Sequence, residues 1–173
     1  MPRAKPVVFI SSTAQDLRDH RQAAADAARQ AGFDVEMMED FEARTDRPPY
    51  PGCMAKVREC DVVVALVAQR YGWVPADQPE PELAKSITWL ECEEAWNAKQ
   101  ELLVFVLDGS HPWPAERKES YRATEALEKG KLTAKLTKEI DRNVKKLGEF
   151  KGWLDSLGFR KSFTTSESVK AIR

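Results

Sequence analysis

A glutamate on the inward face of a helix is the residue of this sequence best placed for chemistry. The stretch Ser86–Ala95, "SITWLECEEA", predicts the first turns of an α-helix. At about 100° per residue, Glu91 shares a face with Ile87 and Leu90. A carboxyl group there is either kept ionised by the helix dipole or partly desolvated with a raised pKa, which suits acid–base or nucleophilic work. The plainer alternative is that Glu91 closes a capping box with Thr88.

Hydroxyl groups follow the first apolar run of the chain. Ser11 and Ser12 stand where a predicted strand meets a helix, and the backbone N–H groups and hydroxyls at such a junction suit a phosphate or a ribose. Plain capping of the helix is an equally good interpretation. The sequence contains no glycine-rich dinucleotide fingerprint and no Walker motif, which excludes those two phosphate sites in their usual form.

The loop sequence "RYGWVP" combines a cation with aromatic rings. Arg70, Tyr71 and Trp73 follow an apolar strand, and such residues can stack a base and hold a phosphate. Alternatively, the loop folds onto the sheet and buries Trp73 as packing. Ser86 ends this loop and opens the helix of Glu91, so we count it among the candidate substrate-binding residues.

Three further charged residues are weaker candidates. Asp61 opens the third predicted strand, where a turn or strand-start role is the plainer interpretation. Asp40 and Arg44 lie in the loop after the second strand, on the predicted ligand edge, and charged loop residues are usually just solvated.

Composition narrows the class of protein. The chain has 173 residues, of which 42% are hydrophobic and 32% charged, and this predicts a single soluble domain, 1–173. Its net charge is −1, so the chain has no overall positive charge that would attract nucleic acid or acidic membranes. No apolar run is long enough for a spanning helix, and no signal peptide is evident. The chain has two histidines, so its sequence does not predict a histidine-based metal site. We therefore expect a cytoplasmic protein with reduced thiols at Cys53, Cys60 and Cys92.

Apolar strands alternate with helical segments, which predicts an α/β fold with a parallel sheet. A helix starting at Ser12, with Gln15 completing a capping box, is expected to end at Gly32. The carboxyl edge of such a sheet is where ligands bind. The predicted strands are Pro6–Ser11, Phe33–Met38, Asp61–Ala68, Glu101–Asp108 and Phe159–Phe163.

A highly charged stretch, about 115–157, precedes the last strand and predicts a helical insertion. Its solvated lysines alternate with acids, which argues against nucleic-acid binding. Trp89 and Trp96 fall opposite Glu91 on their helix, so either the charged helices or a partner must cover them. The final helix is cut short by the chain end, which predicts the N-terminal part of a longer protein. Within the charged stretch, the residues expected to form the apolar stripe of a helix are Leu132, Leu136, Ile140, Val144 and Leu147.

Several motifs together resemble the domain of unknown function 4062 family. They are "VFISSTAQDLRDHRQA", "GFDVEMMEDFEAR", "ECDVVVALVAQRYGWVP", "SITWLECEEA" and "FTTSESV", and they cover nearly the whole chain outside about 115–150. The family is similar to TIR domains and nucleoside 2-deoxyribosyltransferases. The resemblance implies a flavodoxin-like, three-layer fold with a central five-stranded parallel sheet. It also implies fusion ahead of NACHT-like NTPase and repeat domains in STAND-type proteins.

The same resemblance implies roles for individual residues. Glu91 begins an E-x-x-x-A motif whose glutamate is the nucleophile of the deoxyribosyltransferases and the catalytic acid of NAD-cleaving TIR domains. Asp61 is similar to an aspartate opening a strand in the transferases, and Ser11 and Ser12 match the loop near ribose or phosphate. The deoxyribosyltransferases often have a glycine two residues after their glutamate. This chain has Glu93 at that position, and its bulk narrows the predicted site.

Two functions follow as expectations. One is an N-glycosidase that cleaves NAD or a related nucleotide, used as substrate rather than cofactor, when the protein self-associates in defence or signalling. The other is a non-catalytic interaction module whose surface includes Trp89 and Trp96. The enzyme needs Glu91 in a pocket with an aromatic ring nearby, whereas the module needs only an exposed patch.

Overall fold

A computed structural model describes residues 5–38, 50–158 and 160–170. The strands are β1 (Val7–Ser12), β2 (Asp34–Met37), β3 (Val62–Val67), β4 (Glu101–Leu107) and β5 (Arg160–Phe163). The helices are α1 (Arg18–Gln30), α2 (Tyr50–Glu59), α3 (Ile87–Asn97), α4 (Tyr121–Glu128), α5 (Ala134–Ser156) and α6 (Ser166–Val169). All strand pairs are parallel, in the order β2-β1-β3-β4-β5, which confirms the predicted five-stranded, flavodoxin-like α/β class.

Burial along the strands follows their place in the sheet. Strand β3 lies in the middle and is apolar on both faces, because helices cover both. Strand β2 lies at an edge and alternates between exposed and half-buried residues, as its sequence pattern predicted. On one face of β3, Val64 and Leu66 pack toward α1 and α6. On the other face, Ala65 and Val67 pack toward α3 and α5, giving three layers.

Helix α1 starts later than its capping signal predicted. Ser12 continues β1 and pairs in register with Leu66 of β3, so it is not available as a helix cap. The chain then turns, with Thr13 donating a hydrogen bond to Asp16, before α1 begins at Arg18. The predicted Ser12–Gln15 capping box is therefore wrong, because pairing in the sheet prevails over a local capping pattern.

The charged insertion contains one long helix whose buried stripe differs from the predicted one. Val144 is 47% exposed, and Leu132 is also exposed. Steps of four residues rotate by about 40° per step around a helix, so the predicted stripe drifts off the inner face. Alternating steps of three and four stay on that face. The residues that α5 buries are Ile140, Asn143, Leu147, Phe150 and Leu154.

Helix α5 supplies the cover that Trp89 needs. The Trp89 ring stacks on Phe150 with 5.2 Å between centroids, and Trp153 lies beside both rings. Trp96 remains 46% exposed, so the two tryptophans do not form one exposed surface. That part of the predicted module surface is wrong, since an intramolecular helix already occupies it.

Within the described ranges, no helix is long and apolar enough to cross a membrane.

Candidate functional site

Helix α3 points Glu91 into the carboxyl edge of the sheet. Ser86 caps the helix, and its Oγ accepts a hydrogen bond from the Trp89 amide. Glu91 lies in the second turn and is only 3% exposed. Its Oε2 accepts a 2.5 Å hydrogen bond from the Ser11 hydroxyl, at the end of β1. Since Ser86 is the cap, the predicted capping box between Glu91 and Thr88 is wrong.

Burial dominates the electrostatics of Glu91. Removal from water raises the pKa of this carboxyl to about 7, although the Ser11 hydrogen bond and the charge of Arg21 act in the opposite direction. Cys53 lies close enough to share this environment, and burial followed by the charge of Glu91 raises the pKa of its thiol to about 11. The carboxyl therefore changes charge near neutral pH, while the thiol stays protonated and unreactive.

Two more polar groups lie beside the end of β1. The Ser12 hydroxyl is buried and has no hydrogen-bond partner in the described part of the chain. Asp16 is buried too, and desolvation raises the pKa of its carboxyl to about 6 despite its bond from Thr13. Sequence reasoning missed Asp16, because its position in the predicted helix indicated an ordinary surface acid.

Tyr71 is an anchor for the loop after β3. Its side chain is 1% exposed and packs in the same core as Trp89. The phenol donates a 2.9 Å hydrogen bond to the Ala84 carbonyl oxygen and accepts one from the Ser86 amide. The two ends of the proline-rich loop are thereby tied together at the cap of α3. The ring of Tyr71 is thus enclosed in the core and is not presented as a platform for a base.

Gly72 lets this loop approach the end of β1. Its φ is +85°, and a Cβ added there would lie 2.8 Å from the Thr13 Cγ2 atom. We expect Gly72→Ala to lower the free energy of unfolding by about 1–3 kcal/mol, because the backbone is strained and the methyl group clashes. Urea unfolding measures this loss.

Gly152→Ala is the matched control for Gly72→Ala. Gly152 lies inside α5 with open space where a Cβ would stand. Alanine there is expected to stabilise the chain by about 0.5–1 kcal/mol. Equal effects of the two substitutions would show that the loop does not depend on a glycine.

Arg70 and Trp73 line an open cleft rather than the surroundings of Glu91. The cleft has a volume of about 930 Å³ and lies between the loop 70–76, the turn after β1, and helices α4 and α5. An Arg70 Nη2 atom donates a 3.0 Å hydrogen bond to the Glu116 carbonyl oxygen. Glu91, Ser11 and Ser86 are not among the residues that line this cleft.

The predicted site residues thus fall into separate groups. Ser11 meets Glu91 directly, and Ser86 positions the helix that carries it. Asp61 lies at the opposite, amino edge of the sheet, where its carboxylate accepts a 2.7 Å bond from the Val7 amide. Asp40 and Arg44 lie outside the described residues. Among the residues described, no group of three or more histidine, cysteine or acidic side chains could hold a metal ion.

The charged insertion contributes a buried network that sequence reasoning missed. Glu119 is 3% exposed, and its oxygens accept hydrogen bonds from the Tyr71 amide, from Arg122 and from the Asn143 side chain. The network ties α4 and α5 to the loop after β3. No sequence signal marks it, because Glu119 stands in a run of charged residues that all look solvated.

Comparison with known proteins identifies the family of the chain. A search of curated proteins finds no match. Residues 7–171 match the model of a family described as Domain of unknown function (DUF4062). The match spans all five strands and the charged insertion, including the part that the sequence motifs left uncovered. The chain therefore belongs to the domain of unknown function 4062 family.

Proposed function

We propose that this chain is a TIR-like N-glycosidase domain that cleaves the bond between ribose and base in NAD or a related nucleotide. The observation that carries the proposal is the buried carboxyl of Glu91, hydrogen-bonded to Ser11, with a pKa near 7. It lies at the carboxyl edge of a parallel sheet, where open α/β folds bind ligands. Perturbed carboxyl groups in such positions are typical of catalytic acids and bases.

Glycoside cleavage matches the chemistry of such a group. When the bond from the anomeric carbon to nicotinamide breaks, its electron pair leaves with the nicotinamide nitrogen and the ribose acquires oxocarbenium character. The ionised form of Glu91 stabilises that positive charge or attacks the anomeric carbon. Water then supplies the new oxygen, and its proton passes to the carboxylate or to solvent. Ser11 is a positioning residue in this scheme, since its hydroxyl orients the carboxylate.

The enclosed state of Glu91 indicates how activity would be controlled. At 3% exposure, the carboxyl is enclosed in this conformation, and the part of the chain that the structure describes leaves a dinucleotide no open path to it. Opening of the carboxyl edge must precede catalysis, and self-association supplies a means to favour the open state. This fits a cytoplasmic signalling or defence protein in which fused NTPase and repeat domains bring copies of the domain together.

The enclosure of Glu91 also supports the second candidate, a non-catalytic interaction module. An acid sealed between α3 and the end of β1 can serve packing alone. Trp96 is then the exposed aromatic residue that a partner would cover, and Trp89 is not part of that surface. Aromatic residues of this kind are frequent anchors of protein interfaces.

Nicotinamide release from NAD by concentrated or artificially clustered chain separates the two candidates. We expect Glu91→Gln to lower the rate at least about a hundredfold, because glutamine keeps the shape but never becomes charged. Glu94→Gln is the matched control on the same helix, where the acid is partly exposed and paired with Arg58. Release that survives in Glu91→Gln contradicts the proposal. No release from wild type at any degree of clustering supports the module.

A further inference from the structure

The open cleft has the dimensions of a small-molecule site. Its volume, about 930 Å³, lies in the range of about 300–1,000 Å³ that ligand pockets commonly have. The loop 70–76 and the turn after β1 form one wall, and α4 with the start of α5 forms the other. Glu91 is buried elsewhere and does not reach it.

Positive charge is in excess along the cleft. Five basic and three acidic side chains line it. The acids already have partners, because Glu119 and Glu139 bind Arg122, and Glu125 binds Lys129. In the described ranges, the basic lining residues that make no salt bridge are Arg70, Lys131 and Arg142, although the charge of Arg70 also acts on the Asp16 and Glu125 carboxyl groups. The surface left for a ligand is therefore cationic.

The two arginines of this set are held in place with donors to spare. Arg142 makes two hydrogen bonds to the Asn143 side-chain oxygen, at 3.2 and 2.9 Å, and Asn143 is itself buried and bound to Glu119. Arg70 Nη2 binds the Glu116 carbonyl, but Arg70 Nε is buried without a hydrogen-bond partner in the described residues. Nε itself is closed to solvent, so the terminal N–H groups of Arg70 that do not bind Glu116 are the donors that a ligand in the cleft would meet.

We propose that this cleft binds a small molecule carrying several phosphate groups, at a site separate from Glu91. Arg70, Lys131 and Arg142 come from the loop after β3, the α4–α5 connection and α5, so a ligand that meets all three must carry charge at several points. Guanidinium groups bind phosphate oxygens through paired N–H donors. Thr13 and Gln15 add neutral polar groups on the wall that also carries Arg70. The inference does not depend on glycosidase activity.

Isothermal calorimetry with ATP and with inorganic tripolyphosphate, at low ionic strength, tests the site. We expect both probes to bind wild type, and Lys131→Ala to weaken each about tenfold, since one charge-assisted contact is lost. Arg70→Ala is expected to act in the same direction. Lys145→Ala is the matched control, because Lys145 is an exposed lysine of α5 outside the cleft. Thermal melts of each variant verify that it folds.

Each outcome of this titration bears on the proposal. Equal binding of the two probes assigns recognition to the phosphate chain, and tighter binding of ATP shows that its nucleoside is recognised as well. No binding of either probe to wild type overturns the proposal. Binding that Lys131→Ala and Arg70→Ala leave unchanged also overturns it, because the ligand then lies elsewhere. Tripolyphosphate has no glycosidic bond, so its binding is measured without any glycosidase activity, and failure of the glycosidase proposal stays distinguishable.

Discussion

Glu91→Gln is expected to raise the stability of the chain at neutral pH relative to wild type, by an amount that grows with pH. In the folded state burial raises the pKa of Glu91 from 4.5 to about 7. Below pH 4.5 the carboxyl is neutral in both folded and unfolded chains, and its favourable contribution to the free energy of unfolding is fully present. That contribution is lost as pH rises to about 7, where the folded chain must bury a carboxylate. The loss amounts to about 3 kcal/mol.

Glutamine isolates this effect because it removes the charge and little else. Its side-chain oxygen can still accept the hydrogen bond from Ser11, and its volume is nearly that of glutamate. The difference in unfolding free energy between Glu91→Gln and wild type should therefore rise by about 3 kcal/mol from below pH 4.5 to above pH 7. Urea unfolding of both chains across that range measures it.

Other buried groups titrate in the same region but cancel in the comparison. The pKa of Asp16 is raised to about 6, so its contribution to the free energy of unfolding falls as pH rises. Burial lowers the pKa of His20, so the contribution of His20 increases with pH. Both are present in wild type and in Glu91→Gln. A flat difference for Glu91→Gln would show that water reaches the carboxyl and that its pKa is ordinary.

The strands and the orientation of Glu91 were predictable because their signals are local. Continuous apolar runs predicted β1, β3 and β4, and alternation placed β2 at an edge. Helical periodicity placed Glu91 inward, and Ser86 was the right residue to open its helix. In each case the residues that carry the signal are neighbours in sequence, so tertiary contacts had only to agree with them.

The parts that sequence missed depend on contacts between distant residues. Tyr71 resembles a base-stacking ring by type, but its phenol closes a loop by binding at Ala84 and Ser86. The Tyr71 amide and the Glu119 side chain that accepts its hydrogen bond are 48 positions apart in the sequence, and no local pattern near either residue predicts this bond. For Trp89 the sequence left two covers open, the charged helices or a partner, and the packing of Phe150 from α5 decides between them. Side-chain type indicates what a residue can do, and tertiary packing decides which of these roles it has.

Glu119→Ala is expected to lower the free energy of unfolding by about 3 kcal/mol or more. The Glu119 carboxylate accepts bonds of 3.0 Å from the Tyr71 amide, 2.7 Å from Arg122 and 3.0 Å from Asn143. Removing it leaves the amide of Tyr71 and the side chain of Asn143 buried without this acceptor, and each such loss costs about 1–3 kcal/mol. Arg122 keeps Glu139, which limits the loss of its charge pairing.

Two variants show whether the network, rather than charge in general, carries this stability. Glu125→Ala removes a neighbouring acid whose bond to Lys129 is exposed, and should cost no more than about 0.5 kcal/mol in urea unfolding. Glu119→Gln keeps a neutral acceptor and should fall between wild type and Glu119→Ala. Hydrogen exchange at the Tyr71 amide should quicken in Glu119→Ala and not in Glu125→Ala. If Glu119→Ala costs no more than Glu125→Ala, α4 and α5 are held to the loop by apolar packing alone.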